Sequence, residues 1–322
     1  MGRYFAKRLM HSTLIVWGVV TIIFIIIHLA PGDPTQIYIS PEISPATVDK
    51  IKNQFGLNRP LHLQYYHWLK SFLSGEFGFS LYYQKNVSSL LWDTLPNTAI
   101  LGSLVLILHF PLAVLLGLVT AIRRQDSLGR FFNNLFVVLY SIPGFWVALM
   151  LVWIFSYQLG WLPSSQMHSI SAGSGFLNLV LDRIKHAILP VTVLLLPFIS
   201  LTARMLSEKL AEILNSEFYL TAKSLGIRPR KLLLSYALRN SLYPLATLAG
   251  LYLPFLFGGA VITEYIFSWP GMGRLAITAI FTRDYPVILA CTVVASVMVV
   301  LGNLLSDLLY ALIDPRVEVD EV

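Results

Sequence analysis

The segment 208-EKLAEILNSEFYLTAKSLGIRPRKLLLSYALRN-240 separates what can enter a bilayer from what cannot. It is charged, carries two short amphipathic patterns hinged at Gly226, and is flanked on both sides by strongly apolar runs. Nowhere does it hold the ~20 mainly apolar residues that a membrane-crossing helix needs. It is therefore a water-facing connection inside a chain that otherwise crosses a membrane repeatedly. Such a connection is where a membrane protein can grip a soluble one.

Composition agrees. Of the 322 residues, 56% are hydrophobic and only 12% charged, and the mean hydropathy is +0.69. Soluble domains carry roughly 25% charged residues, so the chain reads as an all-α polytopic membrane protein. The N-terminus, MGRYFAKRL, places basic residues ahead of an apolar run that reaches Leu29. That run is about twenty residues long and no A-x-A-like cleavage site follows, which marks a retained first transmembrane helix. The single cysteine, Cys291, excludes an intramolecular disulfide and reads as a small packing residue.

Six stretches are long enough to cross the membrane, near residues 9–30, 97–122, 132–160, 187–204, 240–263 and 286–312. The fourth is the shortest and holds Pro190 and Pro197, while Pro111, Pro143 and Pro254 mark kinks in others. The chain divides into an N-tail with the first helix (1–30), a large external segment (31–93), a five-helix transmembrane domain (94–313) containing the polar loop 205–239, and a tail (314–322).

The basic residues orient these spans. Arg3, Lys7 and Arg8, then Arg123, Arg124 and Arg130, then seven cations from Arg204 to Arg239, and finally Arg316 lie on one side. The nine others fall on the opposite side, five of them in the long connection 31–96. Long loops count little, so the short-loop asymmetry puts both termini in the cytoplasm. This distribution accounts for the net charge of +6 without invoking nucleic acid. No lysine or arginine lies deep in a span, and of the acids only Asp307 is inside one. Ion-coupled carriers need buried titratable groups along their pathway, so a secondary carrier working alone is disfavoured.

In the external segment, Tyr65, Tyr66, Trp68 and Phe72 recur at helical spacing and suit a cap of short helices on the membrane surface. Such a cap is compatible with docking of a soluble extracellular protein. His62 and His67 are five apart, which does not match the same-face spacing of a helical metal pair.

Within the polar loop, Asn215 or Ser216 can cap a short helix with Glu217 in its first turn, and Gly226 supplies the stop. Phe218, Ala222 and Leu225 fall at i, i+4 and i+7, an apolar stripe that either packs beneath its own bundle or faces a partner. Pro229 suits the first turn of a second helix running toward Asn240.

Here the residues resemble a family. LTAKSLG at 220–226, followed by Pro244, looks like the coupling loop of binding-protein-dependent ABC importer permeases. GGAVITEYIFSWPGMGRLAITAIFTRDYPVI at 258–288 and LLSDLLYALIDPRV at 304–317 look like the oligopeptide/dipeptide/nickel branch. LAPGDP (29–34), FGLNRPLHLQYYHWL (55–69), GEFGFSL (75–81) and SIPGFWVAL (141–149) agree, and together resemble the first of that branch's two permease subunits.

The resemblance implies a type I ABC importer permease of the bacterial inner membrane. It would share one translocation path for short peptides with a homologous second permease. Two cytoplasmic ATP-binding subunits and an extracytoplasmic substrate-binding protein would complete the machine. Nickel chelates, glutathione or another small solute are alternative cargoes. The resemblance also implies that the helix ending at Gly226 docks in a groove on an ATPase, whose ATP-driven closure moves the helix and rotates the transmembrane bundles. Phe218, Thr221, Ala222, Lys223, Gly226 and Ile227 are the implied docking residues, with Arg228 and Arg230 meeting acidic groups at the rim. The chain departs from the broader family's EAA motif in having Leu220 where an acid is common and Thr221 for the middle alanine, and Tyr236 replaces a common histidine.

No G-x-x-x-x-G-K-[ST] phosphate loop occurs, nor any H-E-x-x-H or G-x-S-x-G site. The expected chain is a non-catalytic subunit that binds no cofactor of its own, with ATP used by its partners. His28 and His109 read as ordinary hydrogen-bonded histidines, the alternative being substrate or nickel contacts. Glu264 and Asp284 read as solvated helix ends near an outer mouth. SWPGMG, with Trp269, Pro270, Gly271 and Gly273, reads as a sharp external turn able to support a gate.

Overall fold

The computed structural model describes residues 2–29, 58–80, 82–169, 175–242, 245, 248, 252 and 260–313. The expected fifth span (240–263), Pro244, Pro254, the first half of the external segment and the C-terminal tail lie wholly or mostly outside them, as does the side chain of Asp307.

Helix α1 (Gly2–Leu29) is followed by α2 (Leu61–Leu73) and a minimal antiparallel hairpin, β1 (Phe79–Ser80) paired with β2 (Lys85–Asn86). Next come α3 (Val87–Ile122), α4 (Ser127–Ser141) and α5 (Gly144–Gln158). The last turns of α5, Val152–Gln158, are widened to π-type pairing. The long α6 (Phe176–Leu214) leads into the short α7 (Glu217–Ser224) and then α8 (229–241). The chain closes with α9 (Val261–Ile266), α10 (Met272–Thr282) and α11 (Tyr285–Ile313).

Among the described residues, four helices are long and apolar enough to cross a membrane, and a fifth crossing arises if α4 and α5 count as one. That pair is bent by 100°. The cause is local. Pro143 has no N–H to continue the helix, and its ring pushes Ile142 out of the helical region to φ −78°, ψ 130°. The expected single span over 132–160 is therefore two arms at a corner. Pro111, Pro190 and Pro197 sit inside continuous helices.

The fourth span is the largest departure. Read from sequence as the shortest, it belongs to the longest helix in the structure, the 39-residue α6. Hydropathy falls at Arg204 and ends the apolar run, but nothing in 204–214 breaks a helix. Arg204 instead pairs with Glu208 at 3.0 Å and Lys209 with Glu212 at 2.9 Å along the exposed face. Such pairs add only a few tenths of a kcal/mol each, enough to support a turn that already has good helix formers.

The bundle is organised on α3 against α6. Lipid tails are as apolar as leucine, so burying apolar surface does little to drive helices together there, and close contact depends on small side chains. Ala113 of α3 and Ala203 of α6 meet beside Phe136 of α4. A Cβ at Gly117 would stand 2.8 Å from the Ala203 carbonyl oxygen, so only glycine permits this approach. Ala148 with Leu189, Val193 and Phe267 joins α5 to α6 and to the turn after α9. Cys291 packs with Val87, Met272 and Val287, the packing role expected of it. Helix α1 rides on the outside. Its Phe24 packs against Tyr65 and Trp68 of α2, and Thr21 Oγ1 lies 2.7 Å from Tyr65 Oη, so two members of the external aromatic row pack on α1, while Tyr66 is exposed.

Candidate partner-docking helix and opposite clamp

The extension of α6 carries α7 clear of the apolar part of the bundle, since ten residues of helix beyond Arg204 span about 15 Å. Ser216 caps α7, its hydroxyl accepting from Tyr219 N at 3.4 Å. At the other end the Gly226 N–H reaches the Lys223 carbonyl at 3.1 Å and the Ile227 N–H reaches that of Ala222 at 3.4 Å. This Schellman-type closure requires a left-handed residue, and Gly226 has φ +78°. Both expected end signals hold.

The apolar stripe divides. Helix α7 is rolled so that Tyr219 packs against a cluster of Ala121, Leu210 and Ala237, and Ala222 is buried beside it on the inward face. Phe218 and Leu225 flank that inward face and remain 56% and 77% exposed, with Leu220 at 53%. Of the expected stripe, only Ala222 packs beneath the bundle. Phe218 keeps one loose contact, its ring centroid 6.2 Å from that of Tyr236. Thr221, Lys223, Gly226, Arg228, Pro229 and Arg230 are exposed and Ile227 half-buried. The result is an eight-residue helix held by two residues on one side, presenting apolar side chains on the other and followed by exposed cations. Tyr219 was missed as an anchor because the i, i+4, i+7 pattern selected its neighbours.

The opposite end of the bundle holds the SWPGMG turn. Trp269 is buried at 1% exposure, and its Nε1–H donates to the Asn97 carbonyl at 2.9 Å. Asn97 Nδ2 returns a bond to the Pro270 carbonyl, also at 2.9 Å. Glu264 is fully buried beneath the turn. Its carboxyl group accepts from Thr98 Oγ1 (2.9 Å), Gly273 N (2.7 Å) and Arg274 N (3.2 Å). A Cβ at Gly271 would overlap Glu264 Oε2, and one at Gly273 would stand 2.7 Å from Val261 Cα. The turn is thus packed onto the start of α10 and onto α3.

Asp284 is equally buried, accepting from Ser80 Oγ and, at 3.3 Å, from Tyr82 N. Glu264 and Asp284 are therefore not the solvated helix ends expected. The Glu264 oxygens and Asp284 Oδ2 have exchanged water for donors from elements folded over them, as buried polar groups generally do. The side-chain donor comes from GEFGFSL (Ser80) for Asp284 and from Thr98 for Glu264, the other donors being backbone N–H groups of Tyr82, Gly273 and Arg274. Sequence reading isolated the first motif without linking it to TRDYPVI, and Thr98 gave no signal at all.

The two histidines are hydrogen-bonded. His28 Nδ1 lies 2.8 Å from the Phe24 carbonyl, with its ring against Phe24 and Tyr285. His109 Nε2 lies 3.0 Å from Thr202 Oγ1, which is 3.2 Å from Tyr252 Oη. Both fit the ordinary reading.

Comparison with known proteins gives a concordant picture. Residues 113–319 match the family model "Binding-protein-dependent transport system inner membrane component", and residues 1–102 match the corresponding N-terminal model. The chain is 35% identical over 319 residues to the oligopeptide transport system permease protein AppB of Bacillus subtilis, covering 99% of this chain and 100% of that protein. It is 35% identical over 332 residues to the dipeptide transport system permease protein DppB of Alkalihalophilus pseudofirmus, at 99% and 100% coverage. With the glutathione transport system permease protein GsiC of Salmonella typhimurium it shares 32% over 317 residues, at 98% and 99% coverage. In structure it resembles a chain of the MetNI methionine ABC transporter in inward-facing form, with TM-score 0.52 and 16% identity, over 71% of this chain and 96% of that one.

Proposed function

This chain belongs to the family of binding-protein-dependent transport system inner membrane components and has the type I importer permease fold, and from that premise we propose that it encloses, with a homologous second permease, the path by which short peptides are imported. It is a multi-pass inner-membrane subunit without a catalytic role. In the proposed arrangement both termini and α7 face the cytoplasm, where two ATP-binding subunits dock. A substrate-binding protein delivers cargo to the clamp end. The chain itself binds no cofactor, and the work of ATP hydrolysis reaches it through α7.

The observation that carries the docking reading is the divided face of α7. Tyr219 and Ala222 anchor it, while Phe218, Leu220 and Leu225 remain exposed beside Arg228 and Arg230. Exposed apolar groups on a polar, projecting helix suit a groove on another protein, and adjacent cations suit an acidic rim. Peptide cargo follows from relatives named for oligopeptide and dipeptide transport. The relative named for glutathione supports a small solute as the second reading.

The test is purification of the tagged chain from its native membranes in mild detergent. The expected result is one second permease and two ATP-binding subunits per copy, with the ATP-binding subunits lost on Gly226→Asp. Recovery of the chain alone, together with ATP-independent transport in liposomes, would overturn the reading in favour of a secondary carrier. Uptake of labelled dipeptide against labelled glutathione by the reconstituted complex separates the two cargoes.

A further inference from the structure

An open groove of about 290 Å³ runs between α3 and α6, from the clamp end toward the middle of the bundle. Ile100, Leu104 and Leu108 form one wall at i, i+4 and i+8, and Ile184, Ile188 and Val191 form the other. Eight residues of helix cover about 12 Å, close to the ~15 Å hydrocarbon depth of a single leaflet. Trp269 borders the groove beside its clamp to Asn97, and Arg183 stands on the first turns of α6 at that same end.

Arg183 is exposed, and among the described residues no carboxylate pairs with it. The adjacent Asp182 is engaged elsewhere, its oxygens accepting from Ser169 N and Ser169 Oγ at 2.7 Å each. The site is therefore an apolar slot one leaflet deep with a cationic mouth.

We propose that this groove holds one anionic glycerophospholipid, an acyl chain lying along the isoleucine and leucine walls and the phosphate on the Arg183 guanidinium. A planar guanidinium at the mouth of the slot, with no carboxylate beside it among the described residues, suits a phosphate diester. A peptide is the poorer occupant. Below Arg183 the six wall side chains carry no hydrogen-bonding group, so a peptide's N–H and C=O groups would lose water and gain nothing. An acyl chain has no such groups to satisfy.

The test uses the complete transporter, with its partner subunits, purified from vesicles of phosphatidylethanolamine and phosphatidylglycerol and weighed intact by native mass spectrometry. The expected result is one retained phosphatidylglycerol per copy of this chain. It is lost on Arg183→Ala and on the groove-filling Ile184→Trp, and kept on Arg183→Lys. The mass of the assembled complex in the same spectrum shows that each variant folds. Absence of a retained lipid, or retention indifferent to all three variants, would overturn the proposal. So would efficient cross-linking of Leu104→Cys to the second permease or to a photoreactive peptide substrate, since the slot would then hold protein or cargo.

Discussion

Thr98 and Glu264, 166 positions apart, meet in a 2.9 Å hydrogen bond with both residues buried. The same Thr98 hydroxyl accepts from Met272 N at 2.8 Å, so one side chain joins α3 both to the acid and to the first turn of α10. Removing either partner leaves buried donors without acceptors, at about 1–3 kcal/mol for each orphaned group. Thr98→Val and Glu264→Ala are each expected to lower the thermal stability of the purified complex. The double variant should lose less than the sum of the two, with a coupling of about 1 kcal/mol. Strict additivity would mean the pair does not act as a unit.

The same cage sets a size limit at its glycines. A Cβ at Gly273 comes within 2.7 Å of the Val261 backbone, which cannot yield as a flexible side chain can. Gly273→Ala is expected to cost about 1–3 kcal/mol through overpacking, and Gly273→Val to abolish transport. Full transport by the valine variant, measured as peptide uptake, would remove the turn from any gate-supporting role.

The Asp284 anchor predicts a link between segments that hydropathy treats separately. Ser80 Oγ donates to Asp284, and Tyr83 N donates to Ser80 Oγ at 2.9 Å, so the hairpin hangs on the start of α11. Asp284→Ala should expose the connection 81–86 to protease while leaving the membrane spans protected. Unchanged digestion kinetics would show that the hairpin is held by its other contacts.

How much of this was legible in the sequence depended on whether the signal was local. The α7 caps were, because Ser216 and Gly226 act on the backbone within three or four residues of themselves. The corner at Pro143 was marked, although neither its sharpness nor its contrast with Pro111 was. A proline flags a site where a helix can break, and packing decides whether it does, since Pro111 sits within one continuous helix. The extent of α6 was misjudged because hydropathy measures where lipid ends, whereas helices end at caps. Glu264 and Asp284 were misread for a related reason. An acid at the end of an apolar run looks solvated unless its donors are known. The side-chain donors here are Thr98 and Ser80, more than 160 residues away, while Gly273 and Arg274 reach Glu264 only through backbone N–H groups that carry no residue-specific signal. The roll of α7 was illegible because eight residues do not define a face until Ala121, Leu210 and Ala237 select one.

That roll separates stability from docking. Phe218 and Leu225 contribute little to the chain's own packing, being more than half exposed. Phe218→Ser with Leu225→Ser should therefore leave the thermal midpoint of the isolated permease pair nearly unchanged while the ATP-binding subunits no longer co-purify. Tyr219→Ala, by contrast, removes an inward anchor and should lower both. Loss of stability in the serine variant would mean that the exposed face packs within the bundle after all.

The exit from α7 gives the sharpest ranking. Gly226 holds φ +78° with nothing within 4 Å of where a Cβ would be, so the constraint there is the backbone and not space. Alanine in the left-handed region costs roughly 1 kcal/mol, asparagine less because its side chain can bond locally, and a β-branched residue more. If α7 transmits force through this closure, the yield of co-purified ATP-binding subunits should fall in the order glycine, asparagine, alanine, valine across Gly226 variants. Peptide-stimulated ATP hydrolysis should fall in step. A steric docking contact at Gly226 would give a different order, in which alanine, the smaller side chain, outperforms asparagine. The asparagine–alanine comparison therefore decides whether the glycine serves the turn or the interface.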